Sequence, residues 1–576
     1  MYRKDKYWIM SLIRFGMKKI SFFNGLLILF ASLQIVACQN EDDKTLLTPD
    51  GKVDVSKAVQ FKVNFADYNA DEQIKSSRAG NATNDTVSRQ FVELENGLVA
   101  DIVIKKDRKP SPKPVATRAL ENGSYTMLAY KNGTLLDSLK GTVSGGTFTV
   151  SDSRDGMGLG AGTYDFILYN DKVTRNGNKL FVKRENMETA LIGRTQYTVT
   201  ASPQKQQVDF VMKHAAARLS IYLETPVYER YTMSNTYTIQ KADFISLPST
   251  GITSVASYDP VTDNWSTDEN KEYEHKDISI YSQTYYYFLP STDFSKVGVR
   301  AREGKLFRMD LTAHPIQFTL FRNSTILSAN ASYSAFVQVL PKVYYLMSDG
   351  TIGLLDKTTR FGGTKTPIGI VLSRSKRLAV GLGRAGNGST TLAWQTVDQY
   401  SNNKIYNSKV YSSANLFSAL NDLDGEHNTW DASASKDGVT IKANEKEKFP
   451  AFYAAAHYGE VLAQKGIHLT NGMENKKWFL PSVGEMAYAY RVLGFGEDNS
   501  FPGGSSYKAL WYYALWRGAF FDGGCIDFST SDVTYFFTST QYDNGLAGMM
   551  IFDKNYMEFS RSFTKLQQQV LAFVHY

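Results

Sequence analysis

Cysteine is almost missing from this chain. Its 576 residues hold two, Cys38 and Cys525, so at most one disulfide could form and no disulfide framework is available. Proline is also scarce, with 15 residues, while aromatics make up 13% of the chain. That balance excludes a proline-rich disordered stalk and favours ordered, β-rich structure. The seven histidines show no zinc-ligand spacing. No glycine-rich phosphate loop and no nucleophile elbow occurs. These gaps lead to the expectation of a non-enzymatic protein without a cofactor or metal. With 43% apolar residues and this length, core burial alone can hold the fold, as three or four domains.

Charge is lopsided, and the leader explains it. Lys18-Lys19 precede an apolar run from Ile20 to Ala37, and small residues end it. A basic segment, an apolar segment and a small-residue cut describe an export signal over residues 1–37. The run is long enough to span a bilayer, so its length does not exclude a retained anchor. Met17 is a plausible start, since Met17-Lys18-Lys19-Ile20 onward is a complete signal by itself. Removing residues 1–37 takes away six Lys or Arg and one Asp, which lowers the formal net charge from +7 to +2. No basic footprint for nucleic acid then remains. Ile35-Val36-Ala37-Cys38 resembles the lipobox of bacterial lipoproteins, which implies lipidation of Cys38 and an outer-membrane anchor. The acidic Glu41-Asp42-Asp43 that follows, in the tether 38–54, resembles the surface-export signal of Bacteroidetes lipoproteins.

From residue 55 the pattern has period two. Ala58 to Phe65 alternates apolar and polar residues, as a half-buried strand does. Leu98–Ile104, Tyr125–Tyr130 and Gly162–Tyr169 read as further strands, and Asn132-Gly133 as the corner of a hairpin. Later strands are expected at Val208–Lys213, Ala217–Leu223, Tyr285–Leu289 and Ser332–Val339. His214 reads as a packed or hydrogen-bonded residue beside a strand. In the run Tyr285-Tyr286-Tyr287, alternation sends half of the side chains into the core.

Thr117-Arg118-Ala119-Leu120-Glu121-Asn122-Gly123-Ser124-Tyr125 and Gly162-Thr163-Tyr164-Asp165-Phe166, behind a lipobox, resemble the fimbrillin family of Bacteroides and its relatives. The resemblance implies two transthyretin-like β-sandwiches, at residues 55–204 and 205–343, with Lys213-His214 before Ala217-Arg218-Leu219 opening the second. It also implies an assembly route. An Arg-specific protease removes the first strand, and a strand from another fimbrial subunit fills the vacated groove. Arg78, before Ala79, is the preferred cut, and Arg118 the second.

The character changes near residue 344. Short strand and turn units come first, including the Ser348-Asp349-Gly350-Thr351 turn. Phe452, Ala456, Gly459 and Ala463 then fall on one helical face. Ser482 and Glu485 form the pattern of a capping box for a helix from Val483 to Leu493, ended by Gly494. The last strands are expected at Tyr535–Tyr542, Met549–Phe552 and Val570–Val574. Trp478-Phe479-Leu480-Pro481-Ser482…Glu485, followed by Phe537-Thr538-Ser539-Thr540-Gln541, resembles the C-type-lectin-like C-terminal domain of some bacterial adhesins, over residues 344–576. Val570-Leu571-Ala572 stands where that family has Arg-Pro-Val. The calcium-site triplets Glu-Pro-Asn, Gln-Pro-Asp and Trp-Asn-Asp are absent, and the lone Cys525 reads as a small buried residue rather than a reactive one.

The stretch Leu510 to Phe521 packs six aromatics into eleven residues. They suit either a buried helix and its following loop or an exposed platform, with Trp511, Tyr513 and Trp516 as the candidate contacts for a glycan or protein ligand. Asp522, Asp527 and Asp532 read as solvated loop carboxylates. Together these features describe a mainly β protein with a C-terminal α+β domain, displayed as an outer-membrane lipoprotein. The chain ends inside the lectin-like region, which favours a fimbrial tip adhesin. A non-polymerising surface glycan-binding lipoprotein and a fimbrial anchor subunit stay open as alternatives.

Overall fold

The computed structural model describes residues 46–69, 86–95, 97–107, 122–151, 156–201, 205–224, 237–247, 251–307, 309–386, 391–397, 404–494, 507–525 and 533–576. Cys38, Arg78, Arg118, Asp527 and Asp532 lie outside them.

The N-terminal unit is built on β1 (Val59–Phe65), whose alternation is legible in the residues. Val59, Phe61 and Val63 are buried while Gln60, Lys62 and Asn64 face outward. A short helix α1 (Val55–Ala58), capped by Asp54, leads into it. Two further strands follow, β2 (Thr86–Glu93) and β3 (Leu98–Lys106). Next come β4 (Gly123–Lys131), β5 (Thr134–Ser144), β6 (Thr147–Val150), β7 (Gly162–Asn170), β8 (Leu191–Val199) and β9 (Gln206–His214). The β4–β5 hairpin turns at Asn132 and Gly133, both at positive φ, as a tight turn that follows strand twist requires. A closed barrel forms in the order β8-β9-β1-β6-β5-β4-β7.

The second unit contains β10 (Ala217–Leu223), β11 (Tyr286–Phe288) and β12 (Ser332–Pro341). Its main sheet runs β11-β10-β12-β3-β2. A facing sheet is built around Tyr237–Ser246 and Val297–Leu306, and a shared apolar core lies between the two. Within that sheet Asp243 is fully buried and bridged by Arg300 (2.8 Å) and Arg302 (2.9 Å).

The two units interleave, which differs from a division at residues 204 and 205. The hairpin β2–β3 precedes most of the barrel in sequence yet pairs with β12, in register from Tyr333↔Lys106 to Pro341↔Leu98. Conversely β9, beyond residue 205, completes the barrel beside β1. Lys179–Lys183 likewise joins Ile252–Asp259 in another sheet. Alternation shows that a strand is half-buried, but it does not name the neighbour it pairs with.

The C-terminal unit is α+β. A sheet with the order β13-β14-β15-β21-β16 contains β13 (Tyr345–Met347), β14 (Pro367–Ser373), β15 (Leu378–Arg384), β16 (Trp478–Phe479) and β21 (Leu571–His575), and Ile352–Gly353 extends it at the β13 edge. A second sheet runs β17-β20-β19-β18, with β17 (Lys508–Leu510), β18 (Val533–Gln541), β19 (Ala547–Asp553) and β20 (Tyr556–Ser562). Around them lie α2 (Gly425–Trp430), α3 (Pro450–Ala456), α4 (Tyr458–Gln464), α5 (Val483–Leu493) and α6 (Tyr513–Asp522). The single helical face expected through Phe452, Ala456, Gly459 and Ala463 is two short helices. His457 breaks them, and the buried face shifts to Tyr458, Val461 and Leu462. Helix α5 has the expected bounds and a complete capping box, with Gly494 as its C-cap.

Candidate functional site

β1 lies parallel to β9 over seven residue pairs, from Val59↔Gln206 to Phe65↔Met212. On its other side it meets β6 antiparallel only at Phe61↔Phe148 and Lys62↔Thr147. Phe61 is buried in the barrel core, with ring centroids 6.2 Å from Phe148, 5.9 Å from Phe166 and 6.2 Å from Phe210. Each such side chain contributes about 1.5–3 kcal/mol by leaving water.

The exit of β1 is clasped to the second unit. Asn69 donates through Nδ2 to the carbonyls of Asp107 (2.9 Å) and Ser332 (3.1 Å), and its Oδ1 accepts from Ser332 N (2.9 Å). Tyr68 stacks on His214 at 4.3 Å and takes the Arg218 guanidinium at 4.0 Å. His214 is therefore a packed residue. Burial, with Arg218 nearby, pushes its pKa down to about 4. In the tyrosine run Tyr286 is buried and Tyr285 and Tyr287 are half-buried, as alternation requires.

The aromatic stretch is not an exposed platform. Trp511 is 6% exposed, Tyr513 8% and Trp516 1%, while Tyr512 is half-buried and Phe521, at 44%, faces solvent. Trp516 packs on Phe520 at 4.5 Å and Phe552 at 4.6 Å, and Trp511 lies 4.8 Å from Phe552. Trp511 Nε1 donates to Asp553 O at 2.7 Å, which meets its polar requirement inside the core. One turn of the same helix reaches the other way: Leu515 is buried in the core of the second unit, with Tyr512 packed beside it. Helix α6 thus welds the C-terminal unit to the sandwich. Asp522, read from sequence as solvated, is part-buried at its end, and burial pushes its carboxyl up to about 7. Cys525 is buried.

The motif residues of the C-terminal unit are also internal. Ser482 and Glu485 close the capping box, with Glu485 Oε2 accepting from Ser482 N at 2.8 Å. Burial, with Asp422 adding repulsion, pushes the Glu485 carboxyl up to about 8. Asp422 is raised by burial too and accepts from Thr540 Oγ1 at 2.6 Å. Gln541 holds the backbone N–H groups of Tyr406 (2.8 Å) and Asn407 (3.0 Å). Trp478, Phe479, Leu480, Ser482, Glu485 and Phe537 to Gln541 are all buried, so these motif residues build the domain. Among the described residues no three His, Cys, Asp or Glu side chains gather as a metal site, and no helix is long and apolar enough to cross a membrane.

One site escaped the sequence reading. A cleft of about 580 Å³ opens between β2 and the C-terminal unit. Arg89, Gln90, Asp101, Asn323, Asp356 and Phe361 line it, drawn from separated stretches of the chain. Arg89 forms a bidentate pair with Asp101 (3.0 and 2.8 Å) and lies 5.1 Å over the Phe361 ring. No local signal marks a cleft whose Arg89 and Phe361 lie 272 positions apart in the chain.

No protein-family model matches the chain, and no curated protein matches it. Solved structures do. A fimbrial protein from Bacteroides ovatus aligns at 12% identity and a TM-score of 0.24, covering 79% of this chain and 94% of its own. A fimbrial protein from Bacteroides vulgatus aligns at 12% identity and a TM-score of 0.24, covering 42% of this chain and 93% of its own. A fimbrial assembly protein from Parabacteroides distasonis aligns at 11% identity and a TM-score of 0.24, covering 42% of this chain and 94% of its own.

Proposed function

We propose that the chain is a surface lipoprotein that serves as an accepting, tip-type subunit of a fimbrium. Cys38 carries lipid to the outer membrane, and a protease cuts after Arg78. β1 then leaves with the N-terminal segment, and a neighbouring subunit's strand enters between β9 and β6. The observation that carries this reading is β1 itself: a strand with buried Val59, Phe61 and Val63, held along one side by parallel pairing, and placed ahead of Arg78 in the chain. Its loss would leave an apolar groove and a row of unpaired backbone groups on β9, which an alternating donor strand fits.

A cut after Arg118 would also remove β2 and β3. That strips Leu98, Ala100, Ile102 and Ile104 from the second core and leaves one edge of β12 unpaired. One vacated groove requires one donor, so Arg78 is the preferred site. β21 is clasped between β15 and β16 with Leu571 to Val574 buried, so this strand is not free to donate. The C-terminal domain is read as C-type-lectin-like and as the binding end for a host or bacterial surface ligand.

The barrel is closed with β1 in place, and this favours a second reading, a surface glycan-binding lipoprotein that never polymerises. N-terminal sequencing of the protein recovered from assembled fimbriae separates the two. Ala79 at the terminus supports exchange, Ala119 supports the wider cut, and a terminus still at Cys38 overturns both.

A further inference from the structure

β2 is the last strand of the sheet β11-β10-β12-β3-β2, and no described strand lies beyond it. The bonds of β3 fix which backbone groups of β2 face outward. Asp107 N donates to Ser332 O and Lys342 N to Gly97 O, so the odd-numbered residues along β3 bond to β12 and the even-numbered ones to β2. The partners of those even residues are Ser88, Gln90 and Val92. Arg89 and Phe91 lie between them and turn their N–H and C=O groups away from the sheet. No backbone group among the described residues bonds them there.

That edge is the floor of the 580 Å³ cleft, because Val87, Ser88, Arg89, Gln90 and Phe91 all line it. Successive side chains of a strand point to opposite faces, so a cleft that touches five residues in a row runs along the edge and not over one face. Arg89 lies over Phe361 on one face, and Gln90 donates to Thr319 O at 2.9 Å on the other. The loop at Phe361 and the chain after Thr319 therefore flank the slot from opposite sides. Exposed edges are usually blunted by short length, Lys, Pro or a bulge. β2 has eight residues and neither Lys nor Pro, and its bulge stands at the far end, between Thr86 and Ser88.

We infer that this slot accepts one extended, acidic peptide segment of a partner protein, added as a strand beside β2 without any cut in the chain. Main-chain pairing with Arg89 and Phe91 holds it, and Val87, 47% exposed, meets an apolar side chain. Charge sets its sign. Arg89 is paired with Asp101 and Asp356 with Lys357, while the exposed Arg322 joins no ion pair among the described residues. A second copy pairing β2 to β2 fits less well, since its own edge is flanked in the same way. The slot exists with β1 in place, and a cut after Arg78 leaves β2 whole, so this inference goes beyond strand exchange in the barrel.

The purified unprocessed chain is panned against a displayed library of linear peptides, and the selected peptides are synthesised and titrated. Acidic sequences with alternating apolar residues are expected. Their binding should slow amide exchange at Arg89 and Phe91, read by hydrogen-exchange mass spectrometry. N-methylation at alternate peptide positions should abolish binding in one phase and spare it in the other, because only every second N–H faces β2. Arg322→Glu, at an exposed position, should weaken binding about tenfold with an unchanged melting temperature. Arg89→Ala and Arg89→Pro both lose the side chain, but only proline loses the N–H, so the proline variant should bind about tenfold more weakly than the alanine variant. If Arg89→Pro fails to fold, the methylation series decides the same point. A library without binders, peptides indifferent to N-methylation or to Arg322→Glu, or binding that leaves exchange in β2 unchanged would overturn the inference. So would a dimer of the chain that protects Arg89 and Phe91 by itself. Failure here leaves strand exchange beside β9 standing, and a terminus still at Cys38 leaves the slot standing.

Discussion

Gly425 lies directly against the carboxylate of Glu485: a Cβ at residue 425 would stand 2.2 Å from Glu485 Oε2, and 2.9 Å from both Leu480 O and Ser482 N. The start of α2 and the capped start of α5 are packed so closely that only glycine fits. Two of the three contacts are backbone and cannot swing away. Gly425→Ala should therefore destabilise the C-terminal unit by about 2 kcal/mol or more. Chemical denaturation of the full chain, followed by tryptophan fluorescence, reads this. An unchanged midpoint would contradict the packing.

Glu485 also sets a pH dependence. Its carboxyl is neutral in the folded chain up to about pH 8 but titrates near its ordinary value once unfolded. Between those values the folded state holds the extra proton, so stability falls as pH rises, by on the order of 1.4 kcal/mol per pH unit. His214 has the opposite sign. Its folded pKa of about 4 lies below its ordinary 6.5, so its contribution is lost as pH falls through that range. The Glu485 slope is therefore read between pH 6.5 and 8, as the difference between wild type and Glu485→Gln. Glutamine keeps the cap, and the variant should flatten the slope. Equal slopes would contradict a buried neutral carboxyl.

Trp516→Ala should cost about 3–5 kcal/mol, because it empties a core site between Phe520 and Phe552. Leu515→Ala, one residue away, should cost about 2–5 kcal/mol through the second unit's core. Thermal melts of both variants check this. Wild-type melting with a selective loss of ligand binding at Trp516 would restore the exposed-platform reading.

Phe61→Ala should destabilise the unprocessed chain by about 3–5 kcal/mol. If β1 is cut away and replaced, as proposed, the same substitution should have no effect, since residue 61 would no longer be in the barrel. Melts of the unprocessed chain and of subunits recovered from fimbriae decide it. Equal destabilisation in both would mean that β1 stays.

The clasp at Asn69 predicts a change in coupling. Asn69→Ala removes three hydrogen bonds between the β1 exit and the second unit. Limited proteolysis should then cut between barrel and sandwich faster than in wild type, by several-fold, while the barrel core remains intact. An unchanged digestion rate would assign the coupling to Tyr68, His214 and Arg218 instead.

Much of this architecture is written locally. The period-two pattern of Val59–Phe65, the Asn132-Gly133 corner and the Ser482–Glu485 cap each follow from a few neighbouring residues, and each stands where the pattern puts it. Local chemistry also bounds the mainly β class and the α+β C-terminal unit. Tertiary structure alone decided the rest. It took β2–β3 out of the first unit and β9 out of the second, because a strand's partner is chosen by which buried faces meet. It turned Trp511, Tyr513 and Trp516 inward, since the same aromatic side chains serve a core or a surface and only their neighbours distinguish the two. It also assembled the cleft from Arg89, Asn323 and Phe361, whose closeness has no trace along the chain. The seat of β1 is likewise a matter of what surrounds it: the residues specify an apolar strand, and the barrel supplies β9 and β6 as its neighbours.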